Sequence, residues 1–151
     1  MNHSNVTRKI DPRLGLLGFL GLLGFGGIWT YRLDHTVFPF LFFGFFGFFG
    51  FYFEGKMSGT LMDERFLQNK LRAEHAAYRI GLWIAFFALV LTTVNDRMWI
   101  RLTGASDPLW VNNGKLLFLT VVLSLAAALA IFLSQYLLYR YDHEPFDESE
   151  F

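Results

Sequence analysis

The sequence predicts an all-α fold: an integral membrane four-helix bundle, one membrane domain over residues 1–151. Three observations lead there. Hydrophobic residues make up 54% of the chain and charged residues only 17%. The apolar residues fall into long uncharged blocks, which a water-soluble core of this length does not require. Lys and Arg are distributed unevenly between the blocks, as in a multi-pass protein with a defined inside.

The blocks are expected as spans at about 14–31, 37–53, 80–95 and 116–139. A helix needs about 20 residues to cross about 30 Å of hydrocarbon. The fourth block has them and can tilt. The second is short, about 25 Å at the α-helical rise, but its ten Phe favour insertion. Tyr78 and Trp83 lengthen the third through the interface. Arg8, Lys9 and Arg13 precede the first as in a signal peptide, yet it ends Ile28-Trp29-Thr30-Tyr31-Arg32 with no small-x-small cleavage site. A retained hairpin is therefore expected.

Helix punctuation agrees. Asp11-Pro12 reads as an N-cap followed by proline in the first turn, and Pro39 lies in the opening turn of the second span. Asp107-Pro108 is expected to start a short helix on the membrane surface, ended by Asn112-Asn113-Gly114. With the N-terminus inside, the inner flanks hold Arg8, Lys9, Arg13, Lys56, Arg65, Lys70, Arg72, Arg79 and Arg140. The outer flanks hold Arg32, Arg97, Arg101 and Lys115. Nine against four puts both termini in the cytoplasm. Trp29, Trp99 and Trp110 then fall at the outer interface.

Two spans carry glycine at every third position: Gly15, Gly18, Gly21 and Gly24 in the first, Gly44, Gly47 and Gly50 in the second. On an α-helix this is an i±3 row that winds around the surface, a shallow groove for a neighbour's i±4 ridge at a crossing near +20°. Close packing drives association in lipid, so these seven glycines are expected to form the seam of the hairpin. Self-association into a homo-oligomer, or a ligand groove, are the other readings of the same surface.

Glu54–Arg79 is the one sizeable polar segment inside the chain. Thr60-Leu61-Met62-Asp63 has the pattern of a capping box. A helix from about 61 to 79 is expected to run on into the third span, so that the third helix extends into the cytoplasm. Phe66, Lys70/Leu71, Ala73/Ala77 and Ile80/Gly81 share one face roughly. Asp63, Glu64, Arg65, Phe66, Lys70, Leu71, Arg72 and Glu74 form either a solvated extension or a docking surface for a cytoplasmic protein, with Phe66 and Leu71 as apolar anchors.

At this point the chain resembles something. LLGFLGLLGF, FFGFFGFFGFYFEGKMS, LMDERF and AEHAAYRIG together are similar to a domain-of-unknown-function family of small bacterial membrane proteins, over roughly residues 12–95. Members of that family look like partners of a small helix-turn-helix repressor encoded nearby. The resemblance implies a multi-pass protein of the bacterial cell membrane, with a regulator held at Asp63–Arg79. It implies no enzymatic residues.

Little chemistry is expected. There is no cysteine, hence no disulfide, thiolate zinc site or cysteine nucleophile. No span has an ionisable residue near its centre, where proton-coupled transport would need one. Thr92, Thr93, Thr120 and Ser124 can return hydrogen bonds to their own helices. His3, His35, His75 and His143 show no metal-ligand spacing, and His143-Glu144 lacks the second His of a zinc-hydrolase motif. No metal, cofactor or direct nucleic-acid binding is expected. The acidic tail, 140–151, is expected to stay disordered, repelled by anionic lipid. The expectation is a non-enzymatic membrane interaction or regulatory protein in contact with membrane lipids. The alternatives are a membrane immunity or envelope-stress protein, and a small transporter or channel subunit.

Overall fold

A computed structural model describes residues 10–57, 64–94, 96–104 and 107–143. Among them every regular element is helical, in the order helix 1 (Pro12–Asp34), helix 2 (Phe38–Lys56), helix 3 (Glu64–Val94), the short helix 4 (Asp96–Thr103) and helix 5 (Pro108–His143). Helices 1, 2, 3 and 5 are each long and apolar enough to cross a membrane. Asp63, the capping box at 60–63 and the tail from 144 lie outside the described residues.

Helices 1 and 2, expected from the sequence as α-helices, are not α-helical throughout. Helix 1 is a 3-10 helix over Pro12–Phe25 and turns α-helical only at Gly26–Asp34; helix 2 is 3-10 over Phe38–Gly50 and α-helical over Phe51–Lys56. Runs longer than three or four residues are uncommon because side chains three apart eclipse one another. Here the repeat has the period of the helix. With 3.0 residues per turn, every third residue stands directly above the last, so the glycines form a straight stripe and not a winding row. The eclipsed rings of helix 2 sit one turn of about 6 Å apart, a distance at which they stack or meet edge to face. Phe43–Phe46 are 5.9 Å and Phe46–Phe49 6.2 Å apart, near parallel, and Phe45–Phe48 meet edge-on at 5.2 Å. Because every internal N–H still finds a carbonyl within its own segment, such a helix meets the demand that hydrocarbon places on a backbone. The greater rise also removes the shortfall in helix 2. Thirteen residues at about 2.0 Å and six at about 1.5 Å reach about 35 Å.

The seven glycines expected at one seam divide between two. Helix 1 lays its glycine stripe against the aromatic stripe of helix 2, pairing Gly15 with Tyr52, Gly18 with Phe49, Gly21 with Phe46, Gly24 with Phe43 and Gly27 with Phe40. A Cβ on Gly18 or Gly21 would stand 2.6 or 2.5 Å from its ring. Gly44, Gly47 and Gly50 of helix 2 face the other way, onto helix 5. Gly47 meets Ala128 and Ile131, Gly50 meets Phe132 and Gln135, and a Cβ on Gly44 would lie 3.9 Å from the Ser124 carbonyl. The hairpin seam therefore draws its glycine stripe from helix 1, and helix 2 adds only Gly55, which packs on Pro12.

Helix 5 is the central element. It packs on helix 2 by one flank and on helix 3 by the other, while helices 1 and 3 take the outer positions of the row. That double role explains the alternating burial of Ser124, Ala126, Ala128 and Ala130. Helix 3 meets it through small residues four apart, Ala73, Ala77 and Gly81, with a Cβ on Gly81 reaching 3.0 Å from that of Ala130. Helix 3 is one continuous helix, as expected. The separate short helix after Asp107 is not found: Asn112, Asn113 and Gly114 lie inside helix 5. Gly114 admits Thr103, whose Cγ2 would stand 2.8 Å from a Cβ there.

The capping residues behave as read. Asp11 accepts from the Arg13 N–H at 2.8 Å and Asp107 from the Leu109 N–H at 2.9 Å, with proline in each first turn. Thr92 and Thr93 donate to the Leu89 carbonyl and Ser124 to that of Val121, each within its own helix.

Candidate interaction surfaces

One end of the row gathers the start of helix 1, the end of helix 2, the start of helix 3 and the end of helix 5. Its core is Met57, Phe66, Ala73 and Leu138, with Leu137, Tyr139 and Tyr141 packed around it. Phe66 is thus not an exposed anchor. It is only 4% exposed and faces the protein's own interior, because it continues the Ala73–Ala77–Gly81 face at helical spacing. Asn69 Nδ2 donates to the Tyr141 carbonyl at 3.4 Å, and the Arg72 guanidinium lies 4.9 Å from the Tyr141 ring. These contacts bind the first turns of helix 3 to the last turns of helix 5.

The other described residues of the expected docking surface are at or near the surface. Glu64, Arg65, Leu71 and Arg72 are exposed; Lys70 and Glu74 are half-buried and pair at 3.8 Å, one turn apart. At this exposure the pair contributes at most a few tenths of a kcal/mol, about 0.3–0.5. What the sequence reading missed is Leu67, which is 50% exposed, one turn before Leu71 at 68%. With Tyr78 they form an outward apolar ridge between charged residues. A search for apolar residues i, i+4 off the buried face would have found it. The reading also passed over Glu54, the one charged side chain buried among the described residues, 3% exposed at the end of helix 2.

The opposite end holds short connections. The His35 backbone is left-handed (φ 59°) where helix 1 stops, and its ring stands 4.5 Å from that of Trp110. Helix 4 folds Trp99 inward against Phe118, so this indole is buried and not an exposed interfacial anchor. Its Nε1 donates to the Leu91 carbonyl at 3.0 Å. Lys115 pairs with Asp96 across the same turn. Between helices 1, 4 and 5 lies an aromatic-walled groove of about 550 Å³, lined by Tyr31, Trp99, Trp110 and Phe118 among others.

Among the described residues no three His, Asp or Glu side chains converge as metal ligands would. Comparison with protein-family models, with curated proteins and with solved structures finds no match to the chain.

Proposed function

We propose that this protein is a non-enzymatic membrane anchor that holds a cytoplasmic protein, a transcriptional regulator by the resemblance above, on the projecting part of helix 3. Both termini are cytoplasmic in this reading, and the four long helices are spans. The observation that carries it is the Leu67–Leu71–Tyr78 ridge. Helix 3 has 31 residues, about 46 Å at the α-helical rise, so about 16 Å extends beyond a hydrocarbon core of about 30 Å. That length corresponds to the polar segment from Glu64 to near Lys70–Glu74, where two leucines stand exposed in water with charges on either side. An amphipathic partner reads such anchors one turn apart.

Two measurements test it. The chain has no cysteine, so single cysteines report topology directly. Arg97→Cys is expected to react with a membrane-impermeant maleimide in intact cells and Arg65→Cys only after permeabilisation; the reverse pattern overturns the orientation. Affinity purification in mild detergent is expected to recover a soluble protein with wild type and to lose it with Leu67→Glu/Leu71→Glu. Recovery of the same proteins by both forms overturns the docking surface.

A further inference from the structure

Below the ridge, helix 3 presents a different surface. Arg79, Leu82, Trp83 and Phe86 follow one another at i, i+3, i+4 and i+7 and line an outward groove of about 410 Å³. At about 100° per residue they lie opposite the Ala73–Ala77–Gly81 face, so helix 5 does not cover them. Leu82 is 70% exposed, Trp83 56% and Phe86 54%. Trp83 is also the wall of a second groove, of about 510 Å³, which runs between helices 3 and 5 past Ile80, Phe87, Leu91, Phe118 and Val122. The two grooves adjoin along one indole, and Arg79 lies at the polar end of the pair.

We propose that this surface is a binding site for one diacyl phospholipid with an anionic headgroup. The headgroup phosphate pairs with the Arg79 guanidinium, and the two acyl chains lie on either side of Trp83, one in each groove. Three features select that ligand. The grooves are apolar along their length, which suits hydrocarbon and no soluble partner. There are two of them, sharing the Trp83 wall, with Arg79 lining the first and the next residue, Ile80, lining the second, which matches two chains on one headgroup. Arg79 supplies a planar fork of donors that phosphate accepts in bidentate fashion. Arg79 lies five residues, about 7 Å, inside the end of the span near Glu74, a depth from which its long side chain snorkels to the headgroup level. The site rests on the reading of helices 3 and 5 as spans and, for the leaflet it faces, on cytoplasmic termini, since the inner leaflet is the anionic one.

The test is native mass spectrometry of protein exchanged into phosphatidylcholine with added phosphatidylglycerol. Wild type is expected to retain one phosphatidylglycerol in preference to phosphatidylcholine. Arg79→Gln is expected to lower that preference about fivefold, the worth of one arginine beside an anionic group. Arg13→Gln, which removes a cation at the same end of the molecule, leaves it unchanged. Lysophosphatidylglycerol, with one chain, is expected to be retained less than the diacyl lipid by wild type and by Arg79→Gln alike. Equal retention of the two glycerolipids by wild type and Arg79→Gln overturns the headgroup assignment, and equal retention of one-chain and two-chain lipid overturns the pair of grooves. The spanning reading fails separately: protein released from membranes by alkaline carbonate, without detergent, would sink it before any lipid is measured.

Discussion

The two halves of the molecule solve one packing problem with different helices. Helices 1 and 2 are mostly 3-10 and bring their backbones together with glycine at every third position; helices 3 and 5 are α-helical and do so with small residues every fourth. In both, a stripe of small side chains must stay on one side of the helix along its whole length. A repeat of four drifts by about 40° per step on an α-helix, which a short contact tolerates. A repeat of three drifts by about 60° in the other sense. Carried from Gly15 to Gly27, that drift would spread five glycines over about 240° of an α-helix, too wide for any single neighbour. Winding the chain at 3.0 residues per turn cancels the drift. Helix type in the first half thus follows from the period of the small residues, and packing rewards the tighter winding.

The largest expected effect comes from breaking that period. One extra residue between Phe45 and Phe46 turns everything after it by about 120° on a 3-10 helix. Phe46 and Phe49 then arrive where Gly47 and Gly50 stood, at positions where even a Cβ would lie 2.8 and 3.0 Å from helix 5 backbone atoms. Loss of the monodisperse folded species on size exclusion in detergent is expected. Inserting a whole Phe-Gly-Phe triplet at the same point continues the repeat in phase, restores every face and slides the hairpin by one glycine–aromatic step, so the folded species should survive. On an α-helix the triplet would leave the downstream faces about 60° out of register. A triplet as damaging as the single residue therefore refutes the 3-10 account.

This ambiguity is also why the fold was only partly legible. The apolar blocks, the caps at Asp11 and Asp107 and the continuous third helix follow from hydropathy and capping chemistry, which act locally. Helix type does not, because a period of three reads equally as an i±3 row on an α-helix or a straight stripe on a 3-10 helix. Only the persistence of the repeat distinguishes them. Asn112-Asn113-Gly114 misleads for a related reason: Gly114 permits the approach of Thr103, a tertiary demand that looks in sequence like a stop. The candidate surface fared likewise. Leu71 was visible as an exposed apolar residue, but Phe66 could be assigned inward only once Leu138 and Met57 were known to meet it.

Within the hairpin, the glycines should differ sharply in what they tolerate. Gly21 faces the Phe46 ring with no room for a Cβ, whereas Gly26, next to the same stripe, has nothing within 4 Å of one. Gly21→Leu is expected to destabilise by about 1–3 kcal/mol, the usual penalty of overpacking. Gly26→Ala should stabilise by about 0.5–1 kcal/mol, since alanine is the better helix former where space is open. Thermal unfolding in mild detergent should separate the two in opposite directions. If both substitutions lower the midpoint alike, the stripe does not face helix 2 as described.

The smallest effect sharpens the comparison at the turns. The hairpin turn is held by its own residues: His35 is left-handed at the end of helix 1, the Asp34 carboxylate accepts from the Thr36 N–H at 3.0 Å and the Thr30 hydroxyl donates to the Thr36 carbonyl at 3.2 Å. The α-helical half turns through helix 4 and draws on a side chain of that helix to do so. The Leu91 carbonyl is among the last four of helix 3, which have no partner inside their own helix, and the Trp99 indole reaches back eight residues to satisfy it at 3.0 Å. Trp99→Phe keeps most of the ring that packs on Phe118 but removes that donor, so a loss of about 1 kcal/mol is expected. Trp110→Phe is the control, since Trp110 is 50% exposed and meets His35 by its ring, and it should change stability by less. Unfolding midpoints for the two variants decide the point. Should Trp110→Phe prove the more damaging, the end of helix 3 is held by packing and the indole hydrogen bond is incidental to it.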